Sequence, residues 1–296
     1  MIKSITFLWS TTVKGFAHFR KNKPLLLAAA TSFFTIFSLP PITILVVNLL
    51  SFYFFQADRI RNDLFAQLES TFGETSAQQI SNIANNFQDM ADNTFYTIIG
   101  SVFLVFVATT LFYVVQMAIH QIWRIKHTDE LKFKHRLIQR GISLIMILAA
   151  GILMLVTLLS EATLGLIGEY VGEMYPQFNE VLVFVLSTVI SLIVYSVWFA
   201  ILFRYLPDAR IPFPIAFKGG VFTAVLFSIG KYVLGLLLVT ERMGNLFGAS
   251  ASIMVLMLFI FYSSMMVYLG ASFTYVLLRS KGRKMKTKKY SLHVPE

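Results

Sequence analysis

The sequence predicts an all-α, polytopic membrane protein with six transmembrane helices and both termini in the cytoplasm. Three observations predict it: an apolar composition, six long apolar runs, and an alternation of charge between the loops. Of 296 residues, 56% are hydrophobic and only 14% charged, with a mean hydropathy of +0.70. Soluble domains carry roughly 25% charged residues. That balance excludes a disordered chain and disfavours a soluble globule of this length. Cysteine is absent, which removes disulfides, thiolate zinc sites, iron–sulfur ligation and cysteine nucleophiles.

The elements follow in chain order. Residues 1–23 carry Ile5, Leu8, Trp9, Phe16 and Phe19 at roughly helical spacing among lysines and threonines. They predict an amphipathic helix in the cytoplasmic interface, with Trp9 at headgroup level. The apolar run after it is too long for a cleaved signal peptide. A membrane domain is expected over 24–278, with spans Leu25–Phe55, Thr94–Ile119, Gly141–Leu159, Val181–Phe203, Gly219–Val239 and Ala249–Leu278. Each is near or above the ~20 residues that cross ~30 Å of hydrocarbon. The first contains Pro40 and Pro41, which remove two backbone donors and predict a kink near its middle.

Between the first two spans, residues 56–93 hold two apolar stripes: Ile60, Leu64, Leu68 and Phe72, then Ile80, Ile83 and Phe87, ending at Met90 or Ala91. Gly73 separates them, and Ser76 with Gln79 has capping-box spacing. Two amphipathic helices are expected, forming a small extracytoplasmic cap. They pack on each other and on the span ends, or they offer a surface to an envelope protein. An outer loop after the third span carries Glu161, Glu169, Glu173 and Glu180 without a basic residue. A basic cytoplasmic tail closes the chain over 279–296.

Charge orients these spans. The even-numbered scheme puts 21 of the 25 basic residues on the side of both termini, but 11 of the 15 acidic residues on the other. The positive-inside rule makes the first side cytoplasmic. The net charge of +10 then reads as topology plus attraction to anionic headgroups at the cytoplasmic face. Nucleic acid is not expected as a partner, because the basic loop and tail lack the interleaved stacking aromatics of a single-strand groove.

Catalytic signatures are missing. His18, His120, His127, His135 and His293 make no metal-site spacing, and a solvated or headgroup-facing role is expected of them. Gly230-Lys231 lacks the preceding glycine and the following Ser or Thr of a phosphate loop. The 248–252 stretch lacks the second glycine of a nucleophile elbow. Asp129, Glu130, Asp208 and Glu296 are thin material for a two-metal nuclease. No enzyme activity, metal or cofactor is expected. One ionisable residue falls inside a span: Lys231, about 18 Å along the fifth. A charge there costs on the order of 3 kcal/mol on insertion scales, so it is expected to face the bundle interior or to snorkel to the outer headgroups. Glu161 is a candidate counter-ion. Small residues including Ser228 and Ser272 share its surroundings, either for tight helix packing or as the lining of a path.

Four segments carry a family resemblance: AAATSFFTIFSLPP at 28–41, HQIWR at 120–124, RYLPDARIPFPIAFKGGVFTAVLFSIGK at 204–231, and 247–272, which ends in YLGAS. On these the chain resembles the YihY/BrkB family of bacterial inner-membrane proteins, once labelled ribonuclease BN. The resemblance implies a six-helix integral protein of the bacterial plasma membrane. Readings offered for the family include serum resistance, ion antiport and envelope lipid handling. Members commonly carry a glutamate where this chain has Ser228 and another where it has Ser272. A mechanism built on intramembrane carboxylates is therefore not expected here. The leading expectation is transport of an amphiphilic or anionic substrate such as phospholipid through a cavity, with Lys231, Ser228, Ser272 and Glu161 as candidate binding residues. The alternatives are a cation/proton antiporter using Glu161 and the outer acidic loop, and an envelope scaffold acting through 56–93.

Overall fold

In the computed structural model, residues 2–54, 94–127, 133–174, 176–238, 251–283, 285–287 and 291–293 are described, with isolated positions 66, 69, 78, 81 and 82. The chain forms α1 (Ile2–Lys21), α2 (Pro24–Phe54), α3 (Thr94–Trp123), β1 (Ile125–His127), α4 (Phe133–Met174), α5 (Pro176–Tyr205), β2 (Ala209–Arg210), α6 (Phe213–Leu238), α7 (Ala251–Ser280), β3 (Lys286–Thr287) and β4 (Ser291–His293). Every one of the six apolar runs coincides with one of the helices α2 to α7. Among the described residues, Val105–Trp123, Val181–Tyr205, Phe213–Val233 and Leu256–Ser280 are long and apolar enough to cross a membrane. Pro24–Leu39 and Leu137–Leu153 form shorter apolar stretches.

Large apolar side chains such as Phe103, Phe106, Phe184, Ile193 and Ile229 are exposed on the outside of the bundle. Hydrocarbon rather than water is the solvent that suits such a surface. Four features refine the expectations. First, α2 runs through Pro40 and Pro41 as one helix. Second, α4 is 42 residues long, and only residue 175 separates it from α5. The expected acidic outer loop is therefore helical backbone on both sides. No proline interrupts the chain from 133 until Pro176, which opens α5 in the first-turn position proline tolerates. The expected two-helix cap lies outside the described residues apart from the isolated positions.

Third, α1 does not lie alone in an interface. It packs along α7 through Thr11, Gly15 and Phe19, which follow one another at four-residue spacing. A Cβ on Gly15 would stand 3.1 Å from the Phe273 backbone. His18 stacks on Tyr275 at 4.8 Å and donates from Nε2 to the Ile122 carbonyl at 2.8 Å. Of the other apolar side chains expected on this helix, Leu8, Trp9 and Phe16 are exposed, with Trp9 at 72%, and that of Ile5 lies outside the described residues. An apolar face turned outward fits the membrane-surface reading, whereas the small-residue face provides the docking. Fourth, the basic tail folds back. β3 pairs with β2 and β4 with β1, both antiparallel. Gly282, at φ 65°, turns the chain after α7, and the Arg283 amide closes onto the Leu278 carbonyl.

Among the described residues, a buried core lies at the end of the bundle that carries α1 and the paired strands. There Phe19, Trp123, Phe203, Leu206, Ile215, Leu277 and Leu278 are buried together. Helix α7 is the hub, touching α1, α2, α3 and α6. Its contact with α6 is reciprocal. A Cβ on Gly219 would collide with Thr274, and one on Gly270 with Thr223. Each threonine bonds back to the carbonyl of the glycine on its own helix at 2.7 Å, and Phe222 stacks on Phe273 at 4.2 Å. The motif Gly-x-x-Phe-Thr thus occurs once on each antiparallel helix, and each glycine receives the other helix's threonine. Tight helix packing accounts for this part of the small-residue cluster.

Candidate functional site

The terminal end of the bundle holds a lateral cleft between α2 and α3, about 300 Å³ in volume. Leu27 and Ala30 line it from α2, and Tyr113, Val114, Met117, Ala118, His120 and Gln121 from α3, with Ile125 of β1 at the mouth. The walls are mainly apolar. Basic residues are near the lining along the chain: Arg124 and Lys126 adjoin Ile125, and Lys23 comes four positions before Leu27. Gln121 donates to the Asn22 carbonyl at 3.1 Å, which ties α3 to the turn between α1 and α2.

Behind the cleft lies a buried polar junction. His120 is 2% exposed and accepts at Nε2 from the Asp208 amide at 2.9 Å, so its ring proton belongs on Nδ1. Asp208 is 1% exposed, and its Oδ2 accepts from Gln139 at 2.8 Å. One turn before His120, Gln116 donates to the Leu206 carbonyl at 2.9 Å. Its buried Oε1 has no hydrogen-bond partner among the described residues. Trp123 donates to the Ala271 carbonyl at 2.9 Å. Two of the segments that carry the family resemblance, 120–124 and 204–208, therefore meet here, joined through side chains to main-chain groups. This overturns the solvated role expected for His120, and His18 is likewise engaged rather than free. The physical reason is capping: the last turn of α3 and the turn after α5 leave main-chain groups that buried side chains must satisfy.

On the neighbouring side of α3, Arg140 of α4 reaches across. Its Nη1 lies 2.9 Å from Thr109 Oγ1, 3.1 Å from Thr110 Oγ1 and 3.1 Å from the Phe106 carbonyl. The guanidinium also sits 4.5 Å from the Phe106 ring centre and 5.3 Å from that of Tyr113. In sequence, Arg140 falls just before the third apolar run, Gly141–Leu159, among the cations of the side that carries both termini. The signal that places it inside an element is the apolar pair Leu137-Ile138 just before it, which begins the apolar stretch Leu137–Leu153.

Ser272 is fully buried, and its hydroxyl has no hydrogen-bond partner among the described residues. Ser228 is half-buried on α6. Lys231 is exposed, not turned into the bundle. Gly230 occupies the face toward α7, where a Cβ would strike the Tyr262 ring, and the next residue is turned about 100° away. Glu161 falls on the helical backbone of α4, and its side chain lies outside the described residues. Among the described residues no group of three or more His, Cys, Asp or Glu side chains could hold a metal ion.

These features define a multi-pass helical membrane protein with a mainly apolar cleft between α2 and α3. The chain matches the family model described as Virulence factor BrkB over residues 16–291, and it belongs to that family. It is 28% identical over 257 residues to a UPF0761 membrane protein of Pseudoalteromonas translucida, covering 83% of this chain and 79% of that one. A UPF0761 membrane protein of Coxiella burnetii is 28% identical over 251 residues, covering 82% and 84%. Relatives from Pseudomonas aeruginosa are 26% identical over 251 residues, and the matched region spans 57% of their length. No solved structure matches the chain.

Proposed function

We propose that this protein handles anionic membrane lipid in the bacterial plasma membrane, spanning it six times with both termini in the cytoplasm, and that the α2/α3 cleft is where the lipid enters. The carrying observation is the cleft itself: a mainly apolar hollow of about 300 Å³ between α2 and α3, with Lys23, Arg124 and Lys126 close to its lining residues in the chain. Acyl chains suit the walls, and Lys23, Arg124 and Lys126 suit a headgroup phosphate. The six helices coincide with the six apolar runs, and the charge asymmetry between the two sides supports this orientation. A central cavity at Lys231 has less support, since that side chain is exposed. It suits the outer headgroup layer instead.

The test is transbilayer movement of fluorescent phosphatidylglycerol in vesicles reconstituted with the full chain. The expected result is movement above that of protein-free vesicles, and its reduction by Ala30→Phe, which fills the cleft from α2. Movement at the protein-free rate, or an Ala30→Phe variant as active as the parent, removes this reading. Among the alternatives, an antiporter would dissipate a proton gradient on addition of sodium or potassium. A scaffold would lose its envelope partners on deletion of 60–91.

A further inference from the structure

We infer that Arg140 forms a phosphate-binding site against the middle of α3, beside the cleft but distinct from it, on the α3/α4 side of the bundle. Thr109 and Thr110 stand at the middle of the 30-residue α3, about 20 Å from its Trp123 end. A long cationic side chain near a helix end ordinarily snorkels to the headgroups. This one is held instead at mid-helix by a carbonyl, two hydroxyls and two aromatic rings.

Those partners fix the cation without neutralising it. All three acceptors are uncharged and all engage Nη1. No carboxylate pairs with Arg140 among the described residues, and its Nη2 and Nε have no protein partner among them. A guanidinium in a low-dielectric layer gains most from an oxyanion, and the Nη2–Nε edge presents two parallel donors of the spacing a phosphate takes. The adjacent Gly141 borders open space: a Cβ added there meets nothing within 4 Å. The surroundings say where the anion comes from. Val102, Phe103 and Phe106 are all exposed on the outer surface of α3, so the site opens sideways to lipid rather than to water. The ligand class is therefore a phosphodiester that arrives within the membrane, the headgroup of an anionic glycerophospholipid. Tyr113 stacks near Arg140 and also lines the cleft, so the two places are contiguous along α3. The lipid source rests on the lipid-handling reading, whereas the site rests on its own geometry.

The test uses the full chain purified in detergent, with bound lipid read by native mass spectrometry and folding checked by circular dichroism and thermal melting. The probes are phosphatidylglycerol, diacylglycerol and inorganic phosphate. Phosphatidylglycerol should be retained over diacylglycerol. Arg140→Gln should cut that retention at least about tenfold, and Arg140→Lys less, because it keeps charge but not the fork. Gly141→Leu fills the open space without touching the three acceptors and should cut retention too, which keeps the test alive if Arg140→Gln fails to fold. Parental retention in folded Arg140→Gln or Gly141→Leu would make the arginine a clamp between helices and overturn the site. Displacement of the lipid by millimolar inorganic phosphate would overturn the lipid source. Ala30→Phe separates the readings. If it alone lowers retention the cleft stands and this site falls, and if only the Arg140 and Gly141 variants do, this site stands without the cleft.

Discussion

At the scale of single residues, the main lesson concerns which polar groups are engaged. His120 supplies the acceptor for the Asp208 amide in a region that excludes water. Replacing it with Phe keeps the volume roughly constant and leaves that amide unpaired. The loss expected is about 1–3 kcal/mol, which thermal melting of the purified protein would report as a lowered midpoint. A midpoint equal to the parent's would mean that the Asp208 amide finds another partner. Lys231 predicts the contrary. It is exposed, so Lys231→Met should change stability by no more than about 0.5 kcal/mol and leave lipid retention as it is. A sharp drop in retention would return Lys231 to the binding site. The same pair of residues shows what sequence could and could not reveal. Lys231 stood out because it is a lone cation in an apolar run, a rule about composition. His120 did not, because its importance comes from a carbonyl-and-amide environment built by residues almost ninety positions away.

At the scale of helices, most of the architecture was legible. Hydropathy located α2, α3, α5, α6 and α7 to within a few residues at most ends, since a run of that length admits no other backbone solution in hydrocarbon. The extent of α4 was not legible, because helix continues past the apolar run into glutamate-containing turns that carry strong helix formers. Nor was Arg140's placement, which depends on two hydroxyls presented by another helix. The glycines were legible as a class but not individually, and they separate sharply in the structure. At Gly220 a Cβ would lie 2.4 Å from the Ser196 carbonyl oxygen and 2.8 Å from the Ala200 amide nitrogen, both main-chain atoms that cannot swing aside. Gly220→Val should therefore force α5 and α6 apart, at about 1–3 kcal/mol or more. Gly141→Ala meets open space and should instead gain up to about 1 kcal/mol of helix propensity. Paired melting curves check both, and a Gly220→Val variant as stable as the parent would mean that α5 and α6 do not approach this closely.

At the scale of the whole molecule, the basic end behaves as one assembly rather than as loops and a loose tail. The junction between His120 and Asp208 links the last turn of α3 to the segment after α5. The tail then reinforces both links, since β4 pairs with β1 just after α3 and β3 pairs with β2 just after α5. Sequence read 279–296 as a basic cytoplasmic tail without strands, because strands of two or three residues leave no periodicity to detect. The pairing bears on the cleft as well, because Ile125 is both a β1 residue and part of the cleft wall. Ending the chain after Arg283 removes β3 and β4 while sparing the turn that closes α7. Each lost ladder bond is worth roughly 0.5–1.5 kcal/mol net, so the local opening free energy of β1 and β2 should fall by a few kcal/mol. Amide hydrogen exchange is expected to quicken by at least about a hundredfold at 125–127 and 209–210. Exchange at the α6/α7 crossing around Thr223 and Thr274 should be unaffected, because that contact is made between side chains of α6 and α7 themselves. If the four strand segments exchange at parental rates after truncation, the tail is an appendage and the basic end holds together through its side-chain junction alone.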